Sequence, residues 1–593
     1  MKSLVLIISL SLSSMMTLAA PSVRYSLSMS MPSSHLFEVD VTFDHLPSEL
    51  RSLDLRLPVW RPGRYLVLDL ASGIQEFAAA DGNGQPLQWS KVEKSLWRIN
   101  TNGSSRVSAH YKVYANEFDL RTRGLNDEHA FVDGVSVFMY VEQFRSLPLT
   151  LEVKPYKNWH VTTGLEGGGS TFTAPNYDNL VDCPLEIGTQ KDFPFDVEGV
   201  RHVLSIFGEG NWNADTLIRD ISAVVRSQKA FWGEFPYKRY VFLLHCTPSS
   251  GGGTEHINST IMGIRPYVFK NPDSYRGFLG LVSHEYFHTW NVKQLRPQGI
   301  HPYDYTKENY SQELWIAEGT TSYYDELLLV RSGFVKPEKY LENLAGSIRD
   351  DRSRPGNLRQ SVAEASFDAW VKYWKGTQQA YNAESDYYGK GSLISLLLDL
   401  EIRERSLNKH SLDDVLRAMY KRFPLSGTGY TLKGFQRVAE EISGGGLQKF
   451  FDDFVYGTTP LPWEKTFSAA GLELAPKDSV VKPWLGVGTS DMGERTRVTQ
   501  VLAGSPAYNA GIDNGDELLA LNGMRVRSSD LIDRISEMKT GDIVTLTFFH
   551  HDRLKEFRIT LAPQPFPIYK LTKSASPTTL QKEIYQSWLQ TTW

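Results

Sequence analysis

His284-Glu285-Tyr286-Phe287-His288 constrains this chain more than any other stretch. It reads H-E-x-x-H, and the residues before it carry helical signals. Phe278, Leu279, Leu281, Val282 and Phe287 recur near the 3.6-residue period, and Asp273-Ser274 offers an N-cap. Residues four apart on a helix lie one above the other. His284 and His288 would therefore present two imidazoles to one metal ion, with Glu285 beside them to handle protons. With 14 histidines in 593 residues, such a match arises by chance on the order of once in fifty chains. Taken alone, the pattern reads as a helix with two surface histidines, so the remaining parts of a metal site decide the matter.

A hydrolytic zinc site needs a third protein ligand and an open position for water. Thirty residues after His288, Leu314-Trp315-Ile316-Ala317-Glu318-Gly319 opens a second apolar-periodic segment that runs to about Arg331 and stops near Gly333. Glu318 is the candidate third ligand, for one Zn2+ per chain. Asp325, two helical turns on, shares its face and would accept the free N–H of a ligand histidine. A solvated helix carboxylate is the alternative at both positions.

H-E-x-x-H followed by W-x-x-E-G resembles the gluzincin metallopeptidases, and two more of their signatures follow in order. Upstream, Gly252-Gly253-Thr254-Glu255-His256 resembles the G-x-M-E-N segment of the aminopeptidase N family, with Thr254 and His256 departing from its Met and Asn. Downstream, Tyr388-Gly389-Lys390-Gly391 resembles its Y-E-K-G segment. The longer interval to Glu318, the G-G-x-E-H wording, the continuation His288-Thr289-Trp290-Asn291-Val292-Lys293 and a PDZ-like C-terminal segment look more like the glycyl aminopeptidase family. The resemblance implies a zinc aminopeptidase that removes small N-terminal residues such as glycine or alanine. It casts Glu255, with Gly252 and Gly253, as the binder of the substrate's α-ammonium and Tyr388 as the oxyanion donor, Tyr387 being the competing assignment. Two other readings stay open. One is a zinc endopeptidase whose PDZ domain recruits polypeptide ends; the other is a peptide-binding protein with a retired site.

Acidic and basic residues nearly balance, with a formal net charge of −5, so nothing points to nucleic acid. After Met1-Lys2-Ser3 an apolar run from Leu4 to Leu18 ends in the small residues Ala19 and Ala20, which reads as a cleavable secretory signal. The run is short for a bilayer span, so no stable membrane insertion is expected, and the mature protein would be periplasmic or secreted. Cys183 and Cys246 are expected as buried thiols, with a bridge between them the alternative.

The fold class expected is multidomain α+β. A signal peptide occupies residues 1–20 and an N-terminal antiparallel, sandwich-like β domain 21–192. A thermolysin-like, mostly helical peptidase domain spans 193–476, a PDZ-like domain 477–565 and an unassigned tail 566–593. Strands are expected at Phe37 to Phe43, Leu53 to Val59, Arg106 to Tyr114, Val135 to Val141 and Leu149 to Val153. Helices are expected at Thr216 to Phe231 and Tyr387 to Arg405, and a capping-box-like start at Ser411. Ser249 to Gly253 reads as a glycine-rich loop after a strand. The partners expected are peptides with a free N-terminus, and a peptide C-terminus in the PDZ groove at the Leu485 to Gly488 loop, or an empty groove in a domain that only spaces the chain. No phosphate-loop pattern surrounds either glycine-rich stretch, and no G-x-S-x-G elbow occurs.

Overall fold

A computed structural model of the chain describes residues 20–118, 122–477 and 481–593. The expected signal peptide lies outside the described residues except for Ala20. The chain forms two compact units, one from the residues up to Pro58 with Leu70–Thr189, the other from Val59–Asp69 with Gln190–Trp593.

In the first unit, residues alternating apolar and polar build Leu36–Asp44 and Arg106–Tyr114, which pair antiparallel over their whole length. Their inward sets, Phe37, Val39, Val41 and Phe43 against Val107, Ala109, Tyr111 and Val113, are fully buried. These strands belong to a seven-stranded sheet, beside a four-stranded and a three-stranded one. The sheets are antiparallel except where Ser22–Ser28 runs parallel to Leu149–Lys154. Two strand expectations fail in part. Leu53 to Val59 contributes only Ser52–Arg56, and Val135 to Val141 is irregular chain after a short 3-10 turn at Gly134–Ser136. Its apolar residues are buried without alternating, which periodicity alone cannot separate from a strand.

The second unit begins earlier than the expected boundary at 192–193, because that boundary falls inside its first strand. Its sheet consists of β1 (Lys191–Val197), β2 (Val200–Phe207), β3 (Arg239–Cys246), β4 (Gly252–Glu255) and β5 (Ser259–Ile264), in the order β1-β2-β3-β5-β4. β2, β3 and β5 are parallel, and β4 runs antiparallel along one edge. The glycine-rich loop expected at Ser249 to Gly253 therefore gives its last two residues to an edge strand. Helices α1 (Ala214–Trp232), α2 (Pro272–Phe287), α3 (Thr321–Arg331) and α4 (Gly389–Arg405) follow in chain order.

The start of α2 differs from the expected N-cap: Asn271 accepts from Ser274 N at 2.9 Å and Pro272 takes the first turn. Helix α4 starts at Gly389, so Tyr388 sits at its N-cap position and Tyr387 just outside. Ser411 does form a capping box, with Asp414. Among the described residues no helix is long and apolar enough to cross a membrane.

Toward the C-terminus, a six-stranded sheet with two short helices closes over its own apolar core, including Leu485, Val498, Leu518, Leu546 and Ile559. The unassigned tail turns out to be structural. Tyr569–Lys573 pairs with Leu472–Pro476, and the helix Thr579–Leu589 buries Trp588. Trp588 Nε1 donates to the Tyr323 hydroxyl at 2.9 Å, which donates to Asp399 at 2.6 Å, tying the tail to α3 and α4.

Candidate active site

The period of α2 turns Phe278, Leu279, Val282 and Tyr286 into the core and leaves His284 and His288 on the face toward α3. A single π-helical turn at Trp315–Thr320 leads into α3 and carries Glu318. Such turns add a residue to the helical count and re-aim side chains. The result brings the three candidate ligands together: His288 Nε2 lies 3.3 Å from Glu318 Oε2, His284 Nε2 lies 3.9 Å from the same oxygen, and the two Nε2 atoms are 3.1 Å apart. His288 and Glu318 are almost wholly buried.

The far side of each imidazole fixes which nitrogen carries a proton. His288 Nδ1 meets the carbonyl of Asn291 at 2.8 Å, and a carbonyl only accepts, so the N–H is at Nδ1. His284 Nδ1 donates to Asp325 Oδ2 at 3.0 Å. Both Nε2 lone pairs and a carboxylate oxygen thus converge on one point, an arrangement of acceptors that repel unless a cation or proton lies among them. The spacing suits ligand bonds of about 2.0–2.2 Å, so the residues fit a bound zinc ion. Without one, burial pulls His288 downward but Glu318 overrides it, lifting the imidazole to about 9. Burial pushes the Asp325 carboxyl upward, opposed by the N–H of His284.

Asn291 joins the two halves of the site. While its carbonyl orients His288, its side-chain amide donates to Ile316 O at 2.9 Å and to Thr321 Oγ1 at 3.1 Å, on the segment that carries Glu318. Two glycines then let that segment approach α4. A Cβ on Gly319 would meet Gly391 Cα at 2.6 Å and Tyr387 O at 2.7 Å, so W-x-x-E-G and Y-x-K-G pack backbone against backbone. Both Tyr387 and Tyr388 are pushed up by burial and then by the charge of Glu318. They differ in their bonds: the Tyr387 hydroxyl is taken by Trp374 Nε1 at 2.9 Å and its ring is fully buried, whereas Tyr388 stays partly open and stacks on Tyr373 at 5.4 Å.

Edge strand β4 supplies the other wall. Glu255, Glu285 and His288 each bring one ligand-type atom within 4.8 Å of the others. Gly253 faces Glu285 so closely that a Cβ would lie 2.5 Å from its Oε1. Glu255 is buried, which pushes its carboxyl up, yet His288, Lys293 and Arg61 together hold it below the usual range, so it is ionised. All the sequence-derived candidates, including Gly252 at the start of β4 and Asp325 behind His284, therefore lie on four segments: β4, α2, the π turn with α3, and the start of α4. The sequence reading missed Arg61, Gly63 and Lys293. Arg61 Nη1 reaches Thr254 Oγ1 at 3.4 Å, and a Cβ on Gly63 would lie 2.7 Å from Glu255. Arg61-Pro62-Gly63 reads as an ordinary turn in a β domain, and no local signal places it beside a residue nearly two hundred positions later. Cys183 and Cys246 are buried and form no disulfide, and burial pushes the Cys246 thiol up to about 12.

No curated protein sequence matches the chain. Among solved structures, it is similar to an aminopeptidase N family protein from Idiomarina loihiensis, with 28% identity, a TM-score of 0.89, and coverage of 96% of this chain and 100% of that one. An M1 zinc metallopeptidase from Deinococcus radiodurans is 14% identical with a TM-score of 0.47, covering 74% of this chain and 95% of that one, a likeness too slight to bear on the chemistry. Residues 24–189 match the Peptidase M61 N-terminal domain, 277–394 match M61 glycyl aminopeptidase and 483–561 match a PDZ domain. The chain carries an M61 N-terminal domain and an M61 glycyl aminopeptidase domain, with a PDZ domain on their carboxyl side.

Proposed function

We propose that this protein is an exported zinc aminopeptidase that removes small N-terminal residues, glycine or alanine, from peptides. The observation that carries the reading is the convergence of His284 Nε2, His288 Nε2 and Glu318 Oε2 while both Nδ1 atoms are occupied elsewhere. These three side chains would hold one zinc ion, a Lewis acid that polarises the scissile carbonyl and acidifies water.

The protein groups divide the remaining work. Glu285, wedged against Gly253, takes the proton of the attacking water and passes it to the leaving amine. Tyr388 donates its hydroxyl to the developing oxyanion; its high pKa keeps that proton in place. Glu255, ionised inside a buried pocket, pairs with the substrate's α-ammonium and sets the cut one residue from the terminus. β4 lies at the edge of its sheet, where a peptide would add as a further strand. Export rests on the apolar N-terminal run, and the preference for small residues rests on the family.

Metal analysis tests the reading. The protein as purified should carry one zinc per chain, chelation should abolish hydrolysis of an alanyl amide, and zinc should restore it. His288→Ala should come out metal-free. Full activity in a protein stripped of metal would end the proposal.

A further inference from the structure

The stretch Val59–Asp69 comes from the N-terminal part of the sequence but folds with the peptidase unit. Its turn lies directly on Glu255. A Cβ at Gly63 would sit 2.7 and 2.8 Å from the two carboxylate oxygens, and Gly63 takes a φ of +81°, which glycine adopts readily. Arg61 Nη1 donates to Thr254 Oγ1, the neighbour of Glu255 on β4, at 3.4 Å. The chain thus closes over the amine-binding carboxylate. Glu255 also brings a carboxylate oxygen within 4.8 Å of ligand-type atoms of Glu285 and His288. The span between the amine and the bond to be cut is therefore that of a single residue, about 3.8 Å from one Cα to the next.

Tyr65, two residues after Gly63, stands beside that span. Burial, then the charges of Glu318 and Glu255, push its hydroxyl upward, so the phenol feels a metal-ligand carboxylate and the amine-binding one together. Tyr388 feels Tyr65 in turn. The ring has no room to retreat. It meets Trp370 edge-on at 5.8 Å between centroids, and Trp370 meets Trp60 edge-on at 5.1 Å. Each indole is pinned by its N–H, Trp370 to Asn309 O at 3.0 Å and Trp60 to Asp304 O at 2.6 Å. Tyr65 and His288 are 1% exposed, and Glu255 and Glu285 5%. A pocket deep enough for a leucine or phenylalanine side chain would leave its lining open to solvent. Walls this closed leave space for a hydrogen or a methyl group.

We propose that Tyr65 is the specificity-determining wall of the pocket for the first residue, packed so that glycine or alanine fits and a longer side chain meets the ring. The proposal rests on the reading of Glu255 as the amine binder, and it gives the preference for small residues a cause in this chain's own side chains.

The test is kcat/KM of the zinc-loaded full chain on the amides of glycine, alanine, leucine and phenylalanine. The unaltered enzyme should favour alanine over leucine by about tenfold or more, since one extra methylene in a tight pocket already shifts the ratio by about that much. Tyr65→Ala should shrink the ratio by about tenfold, chiefly by speeding the leucine amide, with zinc content held. Tyr65→Val keeps an apolar group against Trp370 and should move the ratio the same way where the alanine variant folds poorly. Tyr65→Phe, which retains the ring, should preserve it. A residue that only supports the fold would slow all four substrates together and leave the ratio alone. A ratio unchanged in both shortened variants would overturn the wall, as would an unaltered enzyme that cuts the leucine amide as fast as the alanine amide. Both outcomes leave the aminopeptidase reading standing. If none of the four amides is cut, that reading fails and the wall falls with it.

Discussion

Gly253 is the point at which the fold leaves Glu285 no slack. A Cβ there would lie 2.5 Å from Glu285 Oε1 and 2.6 Å from its Cδ and Cγ, where ordinary contact starts at 3.4 Å. Gly253→Ala therefore requires a shift of about 0.9 Å by the carboxylate or by β4. The backbone itself accepts alanine, because Gly253 does not adopt a positive φ. β4 is held in register by β5, with Gly253 opposite Met262, so the side chain is the part that moves. A misplacement of about 1 Å costs on the order of 10²-fold in rate, close to 2.7 kcal/mol. Steady-state kinetics on an alanyl amide should show kcat down by about 10²-fold with zinc content and melting temperature held. Gly251→Ala, whose Cβ would meet nothing within 4 Å, is the matched control and should behave as wild type. A Gly253→Ala enzyme with unchanged kcat would refute the claim that Glu285 acts from its observed position.

Glu285→Gln should keep the metal and lose about 10²–10⁴-fold in kcat, as removal of a general base does; metal lost with the activity would make Glu285 a ligand. Tyr388→Phe should lower kcat by about 10²–10³-fold with KM little changed, and Tyr387→Phe should act mainly on stability through its bond to Trp374. The reverse pattern would move the oxyanion donor one residue back. Asp325→Asn should weaken zinc binding by about 10–100-fold, read by competition with a chelating dye. Zinc affinity should rise with pH up to about 9, because the metal-free protein must release the His288 proton. The sign also fixes stability: with its pKa raised above 6.5, His288 stabilises the metal-free fold fully below that pH and loses the contribution as pH climbs through about 9. A pH-independent zinc affinity between 7 and 9 would contradict this.

The convergence of His284, His288 and Glu318 was legible because its parts are local. H-E-x-x-H needs only the helical repeat to bring two imidazoles together, and W-x-x-E-G supplies Glu318 from one further helix. The chemistry around them was not, since it depends on long-range contacts. Arg61 and Gly63 reach Glu255 across about a third of the sequence, and Lys293, noted only as part of the run after His288, has a charge that matters because it is buried near that carboxylate. The π turn at Trp315–Thr320 leaves no mark in an apolar period it shifts by a single residue. Val135 to Val141 fails as a strand for a related reason: a buried irregular run has the composition of a buried strand. The tail gave no signal because the strand Tyr569–Lys573 and the face around Trp588 have partners only in the folded unit.

The most direct test of the account is whether the enzyme reads a charge that only a chain terminus carries. An alanyl peptide and its N-acetylated twin should be compared on the zinc-loaded enzyme, with Glu255→Ala alongside. The contact between Glu255 and the α-ammonium is a charge-assisted hydrogen bond worth about 1.5–3 kcal/mol, so the free amine should be cut and its blocked twin left nearly untouched. Glu255→Ala should erase most of that difference, chiefly by slowing the free-amine substrate. Equal rates on the free and the blocked peptide by the unaltered enzyme would contradict the aminopeptidase account and favour an endopeptidase.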